Sequence, residues 1–438
     1  MHSQFQVYCA SFSKVDNTSS VPYNRGNDAI READTGSMKN AAPEERAALR
    51  ARAEEIAAAL PPVKLGADSQ LDKASHESIR TAAASILRRN RAVGAALVLA
   101  LPGGAQETFC FGHARLKPRI PVTESTCFRI ASVSKLVMSF GALSLMETGQ
   151  LDLDRDISGY LGYPVRHPRY PDIPVTMRML LTHTAALTDD GPYGTRGMES
   201  GTTLRSLLGD PACWRGSAPG QSFHYSNLGA GAAGCVLEQA ANMPFDDIMQ
   251  ACVFDPLGIR ASYDPRRIMP PQDLADGYSV RGFLPPVRKY DAAFLAARPK
   301  ETFDPERDYL IAAGRMITDS HGMERLLRLL ASKDGMGVLS PASLDMMRSD
   351  QCGLPGIAAA GRGLNAAFLE DVFPGFSPVG HQGVAYGMCA ELFADPERGC
   401  GVGVMTSGVR LVKSPPLMRA GFDLLALGFA AMRGIVHD

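Results

Sequence analysis

Strand signals at opposite ends of the chain, with a helical stretch between them, leave few architectures open to this sequence. Near the front, residues 92–101 (AVGAALVLAL) form a short apolar run, followed by Pro102-Gly103-Gly104 and then by residues 107–112 (ETFCFG). Two apolar runs around a Pro-Gly-Gly turn predict a β-hairpin. Strand signals return near the back, at 385–393 and 401–406. From about 150 to 340, helical patterns alternate with Pro- and Gly-rich loops. The expected fold class is therefore α/β of the α+β type. One antiparallel sheet is built from both ends and flanked by helices, with a mainly helical region inserted.

Further helices are expected at 76–89, at 132–147 with Gly149 as the stop, and at 416–432. Residues 43–60 (PEERAALRARAEEIAAAL) read as another helix, ended by Pro61-Pro62. They belong to a helical lead-in over 43–69, ahead of a folded domain over 70–438. Residues 1–42 are polar and aperiodic, and are expected to form a flexible extension.

Composition removes several function classes. Lys plus Arg number 45 and Asp plus Glu 46, a net charge of −1. This balance offers no electrostatic reason to bind nucleic acid or an anionic membrane. The nine cysteines are odd in number and never spaced C-x-x-C, so neither a disulfide framework nor a zinc site is expected. No stretch reaches the roughly 18 consecutive apolar residues of a membrane span. The start, MHSQFQVYCASFSK, lacks the basic-then-apolar pattern of a secretory signal, so a cytoplasmic location is expected.

The chemistry-bearing pattern begins at Ser132-Val-Ser-Lys135. One helical turn separates the serine from the lysine, which places them on one face. The first turn of a helix offers unpaired N–H groups that favour developing negative charge. A lysine shielded from water there is expected to take the serine proton, leaving Ser132 as a nucleophile. The four-residue pattern has little weight alone, because Ser11-Phe-Ser-Lys14 matches it in a segment that cannot form an amphipathic helix. Lys135 is instead followed by Leu136, Val137, Phe140 and Leu143, the spacing of a buried helix.

Two more motifs follow downstream. Tyr225-Ser-Asn227 is the one Y-x-N in the chain, and His381-Gln-Gly383 the one H-x-G. Tyr225 is a candidate to relay a proton from Ser132 to a leaving group. Asn227 offers a donor and an acceptor to a substrate amide or ester. Gly383 would let a substrate approach the strand that carries His381.

Ser132–Lys135, Tyr225–Asn227 and His381–Gly383 in this order resemble the motifs of the serine β-lactamase and penicillin-binding superfamily. The nearest branch holds the class C β-lactamases, D-aminopeptidases and family VIII carboxylesterases. The resemblance covers about residues 75–432 and extends to METGQLDLDRDISGYL, VTMRMLLTHTAALT and VFDPLGI. It implies a β-lactamase/transpeptidase-like fold and no metal or organic cofactor. It also implies Ser132 as nucleophile, Lys135 as its activating base, Tyr225 as the proton-transfer residue, and Asn227 and His381 as substrate contacts. The backbone N–H groups of Ser132 and Val384 match the oxyanion-hole pair.

Two departures matter. His381 stands where β-lactamases usually have a lysine that binds a substrate carboxylate, and histidine is a weaker, pH-dependent cation. Ala185-Ala186 stands where the family commonly has Ser-Gly. The expected function is a serine hydrolase acting on a small-molecule or peptide acyl substrate, with short-chain esters first. D-amino-acid peptides or β-lactams come second and acyl transfer third; a non-catalytic binding or assembly role is the alternative of another class. His183 is expected to be a structural hydrogen-bonding residue, His224 a non-catalytic rim or solvated residue, and Trp214 a packing residue.

Overall fold

The computed structural model describes residues 43–66, 70–190, 202–297, 309–354, 363–414 and 417–436. The expected extension at 1–42, with Ser11 and Lys14, lies outside the described residues.

The strands from the two ends do meet. β1 (Gly94–Ala100), β2 (Gln106–Leu116) and β3 (Arg119–Pro121) come from the front of the chain. β4 (Ala367–Phe368), β5 (Val379–Ala385), β6 (Met388–Asp395) and β7 (Cys400–Gly408) come from the back. They form one antiparallel sheet in the order β3-β2-β1-β7-β6-β5-β4, with the join where Leu97 of β1 faces Val404 of β7. β1 reads as a continuous apolar run because both its faces are covered. Ala96 and Val98 point into the core shared with the helical region, and Ala95, Leu97 and Leu99 into a second core behind the sheet.

That second core lies under α1 (Pro43–Ala58), α2 (Lys73–Arg89) and α6 (Arg419–Val436). α1 docks firmly: Leu49 and Ala53 are buried, and the Arg52 guanidinium holds the Asp423 carboxylate of α6 with two bonds of 2.6 Å. The other face carries α3 (Val133–Glu147) and α5 (Ser320–Ala331), with α4 (Asn227–Ala241) packed against α3. The middle is not wholly helical. Phe128–Arg129, Ile317–Thr318 and Ala261–Ser262 pair into a small sheet, which ties the strand just before α3 to the inserted region.

α3 is apolar nearly all round, and Val133–Ala142 are all buried, as expected of a helix inside a core. It starts within one residue of the expected position and ends before Gly149, which has φ 74°. The strand expected at 385–393 is divided. Tyr386 (φ 53°) and Gly387 (φ 88°) form a two-residue turn between β5 and β6. Positive φ at both central residues matches the twist of a tight hairpin. A tyrosine at the first of them masked that turn in the sequence.

Candidate active site

The site forms where the start of α3, the start of α4 and the edge of β5 converge. Ser132 precedes α3 and is 8 % exposed, whereas Lys135 is fully buried. Lys135 Nζ lies 3.0 Å from Ser132 Oγ and also donates to the Ala313 carbonyl. Ser132 does not cap its helix, so its hydroxyl stays with the lysine. Ala131, just before it, has φ 48°, a conformation costly for a residue with a Cβ. Asn365 braces the same turn from outside, its Nδ2 donating to the Lys135 carbonyl and to Ser139 Oγ, each at 3.0 Å.

Tyr225 lies across from the pair. Its ring centre is 5.0 Å from Lys135 Nζ, 4.5 Å from the His183 ring and 6.1 Å from the His381 ring. Tyr225 Oη and His183 Nε2 are both buried side-chain atoms without a hydrogen-bond partner. His183 Nδ1 accepts from the Ser226 N–H at 3.2 Å, so the ring proton sits on Nε2. Burial, and then the positive charge of Lys135, hold its pKa well below the usual histidine value. His183 thus has the expected hydrogen-bonding place, and it also forms one wall around Tyr225. Trp214 packs as expected, donating Nε1 to the Leu208 carbonyl at 3.0 Å.

His381, on β5, differs from expectation. It is buried, and burial first, then the positive charge of Lys135, push its pKa down to about 3. Its Nδ1 bonds to the Gln382 carbonyl, which puts the proton there and leaves Nε2 as an acceptor. His381 is therefore a neutral hydrogen-bonding group rather than a pH-dependent cation. Gly383 also meets the chain before α3. A Cβ there would lie 2.1 Å from the Ile130 carbonyl oxygen and 2.9 Å from the Ser132 nitrogen. The missing side chain lets β5 press against the chain at the start of α3.

That close approach bears on Val384. The two-residue turn closes on the Ala385–Met388 pair, so by alternation the Val384 N–H points away from β6. β4 pairs only with Val379 and Gly380, which leaves that edge open at Val384. Ser132 N–H, at a helix start, has no intrahelical carbonyl to serve. The two groups expected to stabilise an oxyanion thus lie on facing segments.

Asp189 was missed by sequence reasoning. Its Oδ1 accepts from Ser226 Oγ (2.9 Å) and the Leu228 N–H (3.1 Å). Its Oδ2 accepts from the Asn227 N–H (2.7 Å) and Asn227 Nδ2 (2.9 Å). Burial raises its pKa, opposed by these bonds and by Lys135. One hydrogen of the Asn227 amide, the group expected to contact substrate, is therefore taken by Asp189. Only the acidic pair in LTDDGP marks Asp189 in the sequence, and nothing there shows which residues it reaches. At the Ser-Gly departure, Ala186 keeps a left-handed conformation (φ 60°), so the turn survives without its glycine.

No group of metal-ligating side chains occurs among the described residues, and no helix there is long and apolar enough to cross a membrane.

A family model described as Beta-lactamase matches residues 67–421. Esterase EstB of Burkholderia gladioli is 29 % identical over 308 residues, spanning 65 % of this chain and 77 % of that protein. Among solved structures, EstCE1, titled a hydrolase with promiscuous acyltransferase activity, aligns with a TM-score of 0.65 at 24 % identity, covering 82 % of this chain and 99 % of its own. A D-amino acid amidase from Ochrobactrum anthropi SV3 aligns with a TM-score of 0.60 at 22 % identity, covering 77 % and 92 %. At these identities the structural matches establish a shared fold.

Proposed function

Because the chain belongs to the Beta-lactamase family, within the serine β-lactamase and penicillin-binding superfamily, we propose that it hydrolyses uncharged short-chain esters through an acyl-Ser132 intermediate. The observation that carries this reading is the buried Lys135 Nζ held 3.0 Å from Ser132 Oγ, opposite an unpartnered Tyr225 Oη. With Lys135 in its neutral form, Ser132 Oγ attacks the ester carbonyl as Nζ accepts its proton. The developing oxyanion is held by the N–H groups of Ser132 and Val384. Tyr225 Oη gives a proton to the departing alkoxide and recovers one from the lysine side. Water then attacks the acyl-enzyme, losing a proton to the same pair as that pair delivers one to the departing Ser132 Oγ, which releases the carboxylic acid and restores the free enzyme.

Neutral His381 favours esters over β-lactams and peptides, because it brings no charge to a substrate carboxylate and offers an acceptor instead. The relation to esterase EstB supports the same choice. Amide hydrolysis is the second reading, favoured by Tyr225 Oη, since an amide needs its leaving nitrogen protonated more than an activated ester does. A fluorophosphonate probe should label Ser132, and Ser132→Ala should abolish both labelling and turnover while the circular dichroism spectrum is kept. p-Nitrophenyl butyrate should be cleaved faster than nitrocefin or a D-Ala-D-Ala peptide. Turnover of the ester by Ser132→Ala, or faster cleavage of nitrocefin, would reject the proposal.

A further inference from the structure

The start of α4 is capped completely, and from outside the helix. A helix leaves its first four N–H groups without intrahelical partners. Here the Ser226 N–H goes to His183 Nδ1, and the Asn227 and Leu228 N–H groups go to the two oxygens of Asp189. The Gly229 N–H goes to Ser226 Oγ at 2.9 Å, and that hydroxyl donates its own hydrogen to Asp189. Asp189 also takes the Asn227 amide, which fixes the flip of that side chain, because turning it would set oxygen against oxygen. One carboxylate therefore holds all three residues that follow Tyr225, Ser226 by its hydroxyl and Asn227 and Leu228 by their N–H groups.

Tyr225 itself has no such anchor. Its Oη bonds nothing, and its ring is held only by contacts with His183, Lys135 and His381 rather than by a hydrogen bond. The position of the phenol is inherited from the backbone that Asp189 and His183 grip. We infer that Asp189 is the positioning residue for Tyr225, and that it sets how well the phenol delivers a proton to a poor leaving group. The inference rests on the reading of Tyr225 as the proton donor. Asp189 touches no reacting atom in this scheme. Its carboxylate also complements the positive end of α4, which keeps the turn in place as the site fills.

The consequence is selective. An ester with a nitrophenol leaving group departs without help, whereas an alkoxide must be protonated as it leaves. Loosening Tyr225 should therefore penalise alkyl esters and spare nitrophenyl esters. A general loss of folding or of Ser132 activation would penalise both alike.

The experiment compares kcat/KM, which reports acylation, for ethyl butyrate and p-nitrophenyl butyrate. The proteins are wild type, Asp189→Asn, Tyr225→Phe and the double variant. With Asp189→Asn, ethyl butyrate should lose about 100-fold and p-nitrophenyl butyrate less than about 3-fold, the lower range of general-acid effects. The double variant should be no slower than Tyr225→Phe alone, since both changes act through one group. Equal losses on the two esters, no loss on either, or additive losses in the double variant would overturn the inference. If Asp189→Asn does not fold, Asp189→Ser, which keeps a small acceptor, takes its place in the same comparison. Wild-type protein that cleaves neither ester would instead overturn the reading of the site, and this inference with it.

Discussion

Glu391→Gln should stabilise the protein, and increasingly so as the pH rises. Glu391 lies on β6 directly opposite Gln382, fully buried. Its Oε1 accepts from Gln382 Nε2 at 2.5 Å and from the Cys389 thiol at 3.5 Å, while Oε2 has no partner. Burial raises its pKa from 4.5 to about 8, with both hydrogen bonds opposing the rise. Below 4.5 the folded and unfolded chains both hold this proton, and the group costs nothing. Between 4.5 and about 8 the unfolded chain releases it while the folded chain keeps it, so stability falls with rising pH. At about 1.4 kcal/mol per tenfold change in proton concentration, the full loss approaches about 5 kcal/mol. Glutamine keeps the shape and the acceptor without the titration. Urea unfolding of both proteins at pH 5, 6, 7 and 8 should show the variant gaining about 3–4 kcal/mol on wild type across that range. The difference between the two cancels every other titrating group. A difference that stays constant with pH would refute the buried, protonated carboxyl.

Three other outcomes follow from the site. His381 is held at about 3 and His183 well below its usual value, so neither should titrate in the pH profile of kcat/KM between pH 5 and 8; a limb near 6.5 that disappears in His381→Asn would contradict this. The same depression means His381 favours folding above pH 6.5 and loses that contribution as pH falls towards 3, opposite in sign to Glu391. Gly383→Ala should force β5 away from the start of α3, costing about 1–3 kcal/mol and slowing fluorophosphonate labelling of Ser132 at least about 10-fold; labelling at the wild-type rate would show that this contact does not position the serine.

The sequence revealed the parts of the site that depend on local pattern. Ser132 and Lys135 could be separated from Ser11 and Lys14 because only the former precede an apolar helix. β1 was readable because a strand covered on both faces is apolar at every position. What stayed hidden depends on distant chain segments. The carbonyl that holds Lys135 belongs to Ala313, whose side chain carries no trace of that task. Asp189 differs from its exposed neighbour Asp190 only in what folds over it. His381 was misjudged for the same reason: its charge is set by burial and by Lys135, neither of which its own sequence neighbours display. The strand that carries Gly383 is visible in the sequence, and the helix start that presses on it is not.

The join between β1 and β7 has a consequence for how the protein comes into being. Ser132 and Lys135 precede β5, with His381 and Val384, by the whole helical region, so synthesis delivers them first. β5 is tied to β1 only through β6 and β7. On the proposed chemistry, a nascent chain that still lacks β5 would carry the serine and the lysine without the second N–H group that faces them. The topology thus makes the proposed reactivity of Ser132 depend on a strand made long after it.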